Sequence, residues 1–580
     1  MCGISCTIGS DAVRVTGESI HRLKNRGYDS VGMTWITNGE KYTFRTLSYD
    51  DFKSTADEQP DSELCMAHTR WATHGERTVK NCHPHESNNG LFSIVHNGII
   101  DNCDALKSKL KENGYTFYSD TDSEVIANLI QYFFVDDVLN ALRHIVKAMS
   151  GTWGLCVLYS NEPDSVYCLR RGSPLLVGEG TDKRMIVSEQ FGFDKSIHTF
   201  SRITNDSICR ITRDDFVVYD GNVIDTKSYS REFEYSKGEY DHWMLKEILE
   251  QPKVIQQVLN FGGRIPENRV RLGGLNSNVS SCDHIMLIGC GSSYNACVYA
   301  SREFKNRTGK FVSVIDAANF MLSDIPHNVK TCAIFVSQSG ETRDVYTCIS
   351  ACKNAGCFTV GVTNVPESLI ANEVDCGCYI NAGREFSVAS TKSFTAQCTL
   401  LFLIASWFGD KTVPPHIPKL SDDFKTMIEH CRRDIRYEHL QKIDTKSIFV
   451  LASGETDYAI AREGALKIKE ITYLHAEGFM SSDLKHGPFA MLDESISVIL
   501  IDTDSEKRER AVTCYREIKS RKTPILVFTT DKDHIFGEDA IVFDNPHVII
   551  VFQYIAYTLS VMKNINPDEP RNLAKVVTVD

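Results

Sequence analysis

The feature that most restricts how this chain can fold occurs in it twice. IMLIGCGSSYNA (Ile285 to Ala296) and IFVLASGETDYA (Ile448 to Ala459) each read as an apolar strand, a Gly/Ser turn and the start of a helix. They lie about 160 residues apart, a domain-sized interval. Buried strands that alternate with helices make a parallel sheet covered on both faces. His284 to Ile288, Cys332 to Val336 and Thr359 to Val362 continue that pattern. The second half is therefore expected to hold two similar α/β subdomains, roughly 275–410 and 440–565, joined by a helical connector.

The first half has a different rhythm. Gly154 to Tyr159, Ser165 to Leu169, Leu175 to Val177 and Ile208 to Ile211 are short strand-like segments separated by turns, which predicts stacked sheets. The pattern lapses in a polar, tyrosine-rich segment at Ser228 to Asp241, and a helical pattern starts near His242. A domain boundary is expected there. A single core is excluded at 580 residues, because cores stop growing at roughly 250 to 300.

A formal charge of −13 opposes general binding to nucleic acid or anionic membrane, though a local pocket for a small phosphate remains open. The start MCGISCTIGSD has neither a basic segment nor a long apolar run, so no secretory signal is expected. The apolar stretches Cys398 to Phe408 and Val548 to Met562 are shorter than the ~20 residues of a spanning helix. The expectation is a soluble, cytoplasmic protein with no nucleic-acid or membrane partner. Twenty cysteines are scattered without a CxxC pair, as small buried hydrophobes in a reducing compartment would be. His68, His74, His83 and His85 have no Cys or acidic partner at zinc-like spacing, so neither a metal nor an organic cofactor is expected.

Cys2 stands out by position. It becomes the first residue once Met1 is removed, and the freed α-amine, with a pKa of about 7.7 to 8, can serve as base for its own thiol. Gly3 permits close backbone approach, and Ile4 begins a strand-like run able to anchor the terminus. Four segments follow: RGYDS (Arg26 to Ser30), AHTRWATHG (Ala67 to Gly75), VHNGII (Val95 to Ile100) and SDTDSEV (Ser119 to Val125). With the initial CGI they resemble the glutaminase domain of class II, N-terminal-nucleophile amidotransferases, a four-layer αββα fold.

The resemblance implies roles that residue chemistry supports. The Asn97 side chain and the Gly98 N–H would form an oxyanion hole for the tetrahedral intermediate. Arg70 offers a fork to the α-carboxylate of glutamine and Asp122 a carboxylate to its α-ammonium. Thr73 and His74 complete the implied glutamine site, and Trp71 resembles a gate between that site and an ammonia passage. Trp71 also suits an ordinary core position, and His74, His83 and His85 equally suit hydrogen-bonded structural roles.

An acceptor site is expected in the second half. Ser337-Gln338-Ser339-Gly340-Glu341-Thr342 follows one apolar strand, and Cys290, Gly291, Ser292 and Ser293 follow another; Ser387 to Lys392, with Val388, Ala389 and Ser390, is a third hydroxyl-rich turn. Hydroxyls and free N–H groups at a helix start can cradle phosphate without Lys or Arg, and no nucleotide P-loop motif occurs. These turns resemble the sugar isomerase (SIS) domain, which binds phosphosugars as a doubly wound parallel sheet.

EGALKIKEITYLHAE (Glu463 to Glu477), LKHGP (Leu484 to Pro488) and the tail PRNLAKVVTVD (Pro570 to Asp580) are similar to the isomerase half of the glucosamine-6-phosphate synthase family. In a helix Glu463, Lys467 and Glu470 share one face, which gives a partly buried charged stripe. Glu470 would be the base that moves a proton between carbons 1 and 2, its pKa raised by desolvation. Lys467 would stabilise the enolate-like intermediate, His486 would open the sugar ring, and Lys575 would form a Schiff base with the ketose. One departure is that Ser481-Ser482-Asp483 precedes LKHGP where many relatives carry a Gly-Glu pair.

The expected layout is a glutaminase domain at 1–235, a linker with a leading helix at 236–274, SIS subdomains at 275–415 and 416–565, and a catalytic tail at 566–580. L-glutamine and D-fructose 6-phosphate are the implied substrates and a homodimer the implied assembly. A phosphoribosyl-transferring amidotransferase would share the first half, but the acidic pair its acceptor site demands is not found. A phosphosugar-binding regulator would have no reason to keep Cys2, Glu470, His486 and Lys575 together.

Overall fold

The computed structural model describes residues 2–59, 62–71, 75–228, 236–276, 279, 281–366 and 368–576. The chain packs as two compact units, Met1–Ser236 with Ala574–Asp580, and Lys237–Leu573. Most of the polar segment expected at the boundary, residues 229–235, lies outside the described residues.

In the first unit two antiparallel sheets face each other. Eight strands run in the order Val223–Ser228, Ile197–Ile203, Leu176–Gly180, Lys183–Val187, Gly3–Gly9, Leu64–Arg70, Ser30–Thr37 and Glu40–Thr46. Six more run Phe216–Asp220, Ser207–Thr212, Ser165–Arg171, Gly151–Tyr159, Phe92–Ile100 and His85–Glu86. Side chains alternate along each strand. Ile4, Cys6 and Ile8 therefore meet Val95, Cys156, Leu158 and Cys168 between the sheets, while Thr7 points outward and accepts a 2.8 Å hydrogen bond from the Thr16 hydroxyl of helix Ala12–Arg22.

That helix and Tyr49–Asp57 cover the outer face through Val13, Ile20 and Phe52, packed on Met33, Cys65 and Ala67. Helices Ser123–Phe133 and Val138–Ala148 cover the other sheet through Ile126, Ile130, Leu142 and Ile145. The result is the expected αββα layering. Because both faces of each sheet are covered, Gly3–Gly9 and Leu64–Arg70 are buried along their whole length.

The second unit holds two five-stranded sheets whose strand pairs are all parallel. The first runs Phe311–Asp316, His284–Gly289, Thr331–Ser337, Phe358–Thr363 and Cys376–Tyr379; the second runs His475–Met480, Ser447–Ala452, Ile496–Asp502, Ile525–Thr529 and Ala540–Val542. Numbered within each sheet, both orders are 2-1-3-4-5, the doubly wound arrangement expected from the repeat. Helices Gly291–Thr308 and Glu455–Thr472 follow the two first strands.

One core joins both sheets, and it includes Met244, Ile248, Val254, Ile255 and Val258 from helices Trp243–Leu249 and Gln251–Val258. The apolar run Cys398 to Phe408 ends a helix, Lys392–Phe408, that is buried on every side. Among the described residues no helix is long and apolar enough to cross a membrane.

Two glycines set how closely helix Glu455–Thr472 packs. A Cβ on Gly464 would fall 2.5 Å from the Phe552 ring, and one on Gly478 would fall 2.7 Å from the backbone nitrogen of Arg462 in that helix. A ring can shift more readily than backbone. Gly478→Ala is thus expected to destabilise the second unit by about 1 to 3 kcal/mol, the usual cost of overpacking, measured as a lowered urea midpoint with unchanged slope.

Candidate active sites

Cys2 leads into the central strand of the eight-stranded sheet. The Gly3 N–H donates to Thr69 Oγ1 at 3.0 Å and the Ile4 N–H to Ser188 Oγ at 3.0 Å, which fixes the terminus between neighbouring strands. The Trp71 N–H donates to Cys2 Sγ at 3.1 Å. Burial pushes the Cys2 thiol above its ordinary range, while the Trp71 N–H and the guanidinium groups of Arg70 and Arg26 pull it back in part. The resting group is a thiol, and its attack on an amide needs a base.

Asn97 is buried and Gly98 follows it on strand Phe92–Ile100. Asn97 Nδ2 donates to the Cys2 carbonyl oxygen at 2.8 Å, so this side chain and the candidate nucleophile's residue are in direct contact. Gly98 has φ +133°, and a Cβ there would lie 2.0 Å from the Thr152 carbonyl oxygen; no other residue fits. Asp122 accepts from the Ile100 N–H at 3.0 Å and from the Ser123 hydroxyl at 3.2 Å, at the end of the same strand. The Arg70 guanidinium reaches the main-chain oxygens of Gly75 and Glu76 at 3.3 and 3.4 Å. Trp71 meets Tyr28 edge to face, centroids 5.5 Å apart. Thr73 and His74 lie outside the described residues.

Four buried histidines sit beside this group. His68 and His83 stack with centroids 4.0 Å apart, and His83 meets His85 at 4.6 Å. The His96 N–H donates to His83 Nδ1 at 3.2 Å, His96 Nδ1 pairs with Ser123 Oγ at 2.9 Å, and His85 pairs with Tyr118 and Thr121 at 3.0 Å each. Burial holds all four below the ordinary histidine range, His68 at about 3. His83 and His85 are thus hydrogen-bonded, neutral side chains. The sequence motifs assign no site role to His96, Thr69 or Ser188 and consider His68 only as a metal ligand, although His68 and Thr69 lie within AHTRWATHG and His96 within VHNGII.

In the second unit the candidate phosphate turns lie where the doubly wound topology puts ligands. In such sheets the crevice opens at the carboxyl ends of the two neighbouring strands where the winding reverses. Cys290 to Ser293 follow strand His284–Gly289, and Ser337 to Thr342 begin at the end of its neighbour Thr331–Ser337. Ser337 Oγ accepts from the Gly340 N–H at 3.0 Å and lies 3.0 Å from Thr342 Oγ1 and 3.4 Å from Ser339 Oγ. Gln338 is half-buried beside them. Gly291 takes φ +54° at the helix start. Burial, reinforced by Asp316, pushes the Cys290 thiol up to about 12. Ser390 Oγ lies 2.7 Å from Ser393 Oγ, Ala389 is buried, and the Val388 N–H donates to the Asp568 carbonyl at 3.2 Å.

The stripe on helix Glu455–Thr472 is more deeply buried than expected. Glu463 and Lys467 side chains have no exposure and Glu470 keeps 20%. Lys467 Nζ lies 2.5 Å from Glu470 Oε2 and 3.4 Å from Glu463 Oε1, and donates to Ser292 Oγ at 3.2 Å. Glu463 accepts from Ser292 Oγ and Asn295 Nδ2, both at 2.8 Å. Burial opposes the Lys467 charge, but Glu463 and Glu470 together hold the ammonium above its ordinary range. A hydroxyl of one candidate phosphate turn is therefore joined to the helix bearing the candidate base.

The matching crevice of the second subdomain has different chemistry. Asp502 and Asp504 stand at the end of strand Ile496–Asp502, and Asp457 accepts from Thr503 Oγ1 at 2.5 Å. Burial, helped by Asp504 and Asp502, pushes Asp457 up to about 6. Carboxylates there repel phosphate, so among the described residues the hydroxyl cradle lies in the first subdomain. His486 is exposed on the turn Asp483–His486, and its neighbour Lys485 pairs with Glu517 at 2.7 Å. Lys575 is half-buried in the segment counted with the first unit.

Comparison with known proteins bears on both halves. Residues 68–192 match the family described as glutamine amidotransferase domain, and residues 278–406 and 443–563 match the SIS domain. A probable glutamine–fructose-6-phosphate aminotransferase [isomerizing] of Acanthamoeba polyphaga mimivirus is 36% identical over 616 aligned residues, covering 100% of both chains. The glutamine–fructose-6-phosphate aminotransferase [isomerizing] of Chlorobaculum tepidum is 33% identical over 617, again covering 100% of both. The chain belongs to the isomerising glutamine–fructose-6-phosphate aminotransferase family. A solved C-terminal domain of the glucosamine-fructose-6-phosphate aminotransferase from Francisella tularensis superposes with a TM-score of 0.52 at 27% identity, covering 58% of this chain and 100% of that one.

In this family member the buried histidines carry a pH consequence. A histidine held at about 3 in the fold but near 6.5 when unfolded binds more protons in the unfolded state between those values. Its stabilising contribution is whole above about 6.5 and is lost as pH falls, about 2 kcal/mol at pH 5 from His68 alone. His83, His85 and His96 act in the same direction. Hydrogen exchange of peptides spanning Leu64–Arg70 and Phe92–Ile100, corrected for intrinsic rates, should show protection falling between pH 7.5 and 5 more steeply than in strands of the second unit.

Proposed function

We propose that this chain converts L-glutamine and D-fructose 6-phosphate to L-glutamate and D-glucosamine 6-phosphate. The observation that carries the acceptor half is the buried line Ser292–Glu463–Lys467–Glu470, which ties a phosphate-type turn to a carboxylate base. The reading needs no metal or organic cofactor.

In the glutaminase half, the α-amine freed by removal of Met1 takes the thiol proton, and Cys2 Sγ attacks the amide carbon of glutamine. Asn97 Nδ2 and the Gly98 N–H receive the oxyanion. Arg70 and Asp122 hold the α-carboxylate and α-ammonium, Thr73 and His74 are assigned to the same glutamine site by the family resemblance, and Trp71 separates the amide from the ammonia route. The C–N bond breaks as the amine returns its proton to the leaving ammonia, and water then hydrolyses the thioester to glutamate.

In the sugar half, Ser292, Ser293, Ser337, Gln338, Ser339 and Thr342 hold the phosphosugar together with Cys290, Gly291 and the turn Val388, Ala389 and Ser390. His486 opens the ring, and neutral Lys575 forms an imine at carbon 2, from which ammonia displaces it. Glu470 takes a proton from carbon 1 and returns one to carbon 2, while the Lys467 ammonium stabilises the charge between those steps. The exposure of His486, outside the Lys467 network, supports a homodimer in which a second copy completes the sugar site. The same reading places the protein in the cytoplasm and divides it at 1–235, 236–274, 275–415, 416–565 and 566–580.

With glutamine and fructose 6-phosphate, the wild-type chain should yield glutamate and glucosamine 6-phosphate in equal amounts. Cys2→Ala should make neither. Glu470→Gln should still release glutamate but lose amino-sugar synthesis by about 10³-fold or more. Ammonia release by Cys2→Ala would remove the nucleophile from the scheme; glutamate without amino sugar from the wild type would remove the acceptor.

A further inference from the structure

We infer that His68 is a positioning residue for the glutaminase half: it donates from Nε2 to Asn97 Oδ1 and so sets which end of the Asn97 amide faces Cys2. This rests on reading Asn97 as an oxyanion donor. An asparagine amide is nearly symmetric in shape but not in charge. With Nδ2 toward Cys2 it attracts the oxyanion; rotated by half a turn it presents an oxygen and repels it.

Two main-chain carbonyls fix the orientation, because a carbonyl oxygen only accepts. His68 Nε2 lies 3.1 Å from the His96 carbonyl oxygen, so Nε2 carries the ring proton. The group 2.8 Å from the Cys2 carbonyl oxygen must be the Asn97 NH₂. The 3.1 Å contact between His68 Nε2 and the remaining end of the amide is then a donation into Oδ1. The other ring nitrogen agrees: His68 Nδ1 is buried with no hydrogen-bond partner among the described residues, which costs less for a bare nitrogen than for an N–H.

The ring has little freedom to abandon this role. His68 is 1% exposed, lies on strand Leu64–Arg70 directly opposite Ile4, and stacks on His83 at an interplanar angle of 13°. His83 is itself fixed by the His96 N–H. Donation into Oδ1 also polarises the amide, which makes the Nδ2 hydrogens on the Cys2 side stronger donors. His68 has no part in proton transfer in this scheme; it acts through Asn97.

A double-mutant cycle on glutamine hydrolysis by the full chain tests this. Asn97→Ala should lower kcat by about 10²- to 10³-fold. His68→Phe should lower kcat by about 10- to 100-fold with the KM for glutamine changed less than about 3-fold. In the Asn97→Ala background, His68→Phe should change kcat by less than about 3-fold, since the group it orients is gone. His68→Gln, which keeps a donor, should recover most of the activity. An equal loss from His68→Phe in both backgrounds would overturn the inference. A negligible effect of Asn97→Ala would instead overturn the oxyanion reading beneath it. Should His68→Phe fail to fold, His68→Gln carries the cycle: full activity, or a defect that disappears with Asn97→Ala, is the expected result, and a defect of equal size in both backgrounds contradicts it.

Discussion

An ammonium group with no exposure to solvent is the constraint around which the second unit is arranged. Taking Lys467 out of water is costly, and the fold offsets that cost with Glu463 on one side and Glu470 on the other. Glu463 needs hydrogen bonds of its own, and it takes them from Ser292 and Asn295 on the first helix of the other subdomain. Helices Gly291–Thr308 and Glu455–Thr472 are thereby fastened at one register. Gly464 and Gly478 let the second of these helices approach Phe552 and strand His475–Met480 closely enough to bury the charge.

The repeat explains why the two subdomains look alike and do different things. Both place a turn at the reversal point of a 2-1-3-4-5 sheet. In the first, those turns carry hydroxyls and N–H groups suited to a phosphate. In the second, Asp457, Asp502 and Asp504 occupy the equivalent crevice, and the candidate residues Glu463, Lys467 and Glu470 sit instead along the helix that follows its first strand. On the proposed reading, one topology supplies a cradle from one copy and a base from the other.

Much of this was legible in the sequence. Glu463, Lys467 and Glu470 are spaced for one helix face, and the helix is there. The strand–turn–helix repeat gave both parallel sheets, and the short alternating segments of the first half became the two facing sheets. What stayed hidden depends on residues far apart in the chain. The Glu463–Ser292 contact spans 171 positions and turns an expected half-solvated stripe into a buried one. Nothing local marks Ser188 as a partner of the Ile4 N–H, 184 residues away. His68 and His96 lie inside AHTRWATHG and VHNGII, but their place beside Asn97 and His83 is not legible there, because it comes from what they touch across the sheets. The stretch 236–274 reads as a linker with a leading helix, but its sequence does not show that Met244 to Val258 enter the core of the second unit.

The central claim is that nitrogen freed at Cys2 is the nitrogen installed on the sugar by the unit built around Lys467. Mass spectrometry of the product made from amide-15N glutamine and fructose 6-phosphate, in the presence of excess unlabelled ammonium, tests it most directly. Glucosamine 6-phosphate carrying 15N, with one glutamate formed per sugar, is the expected result. Unlabelled amino sugar, or labelled ammonia accumulating with no amino sugar, would contradict it.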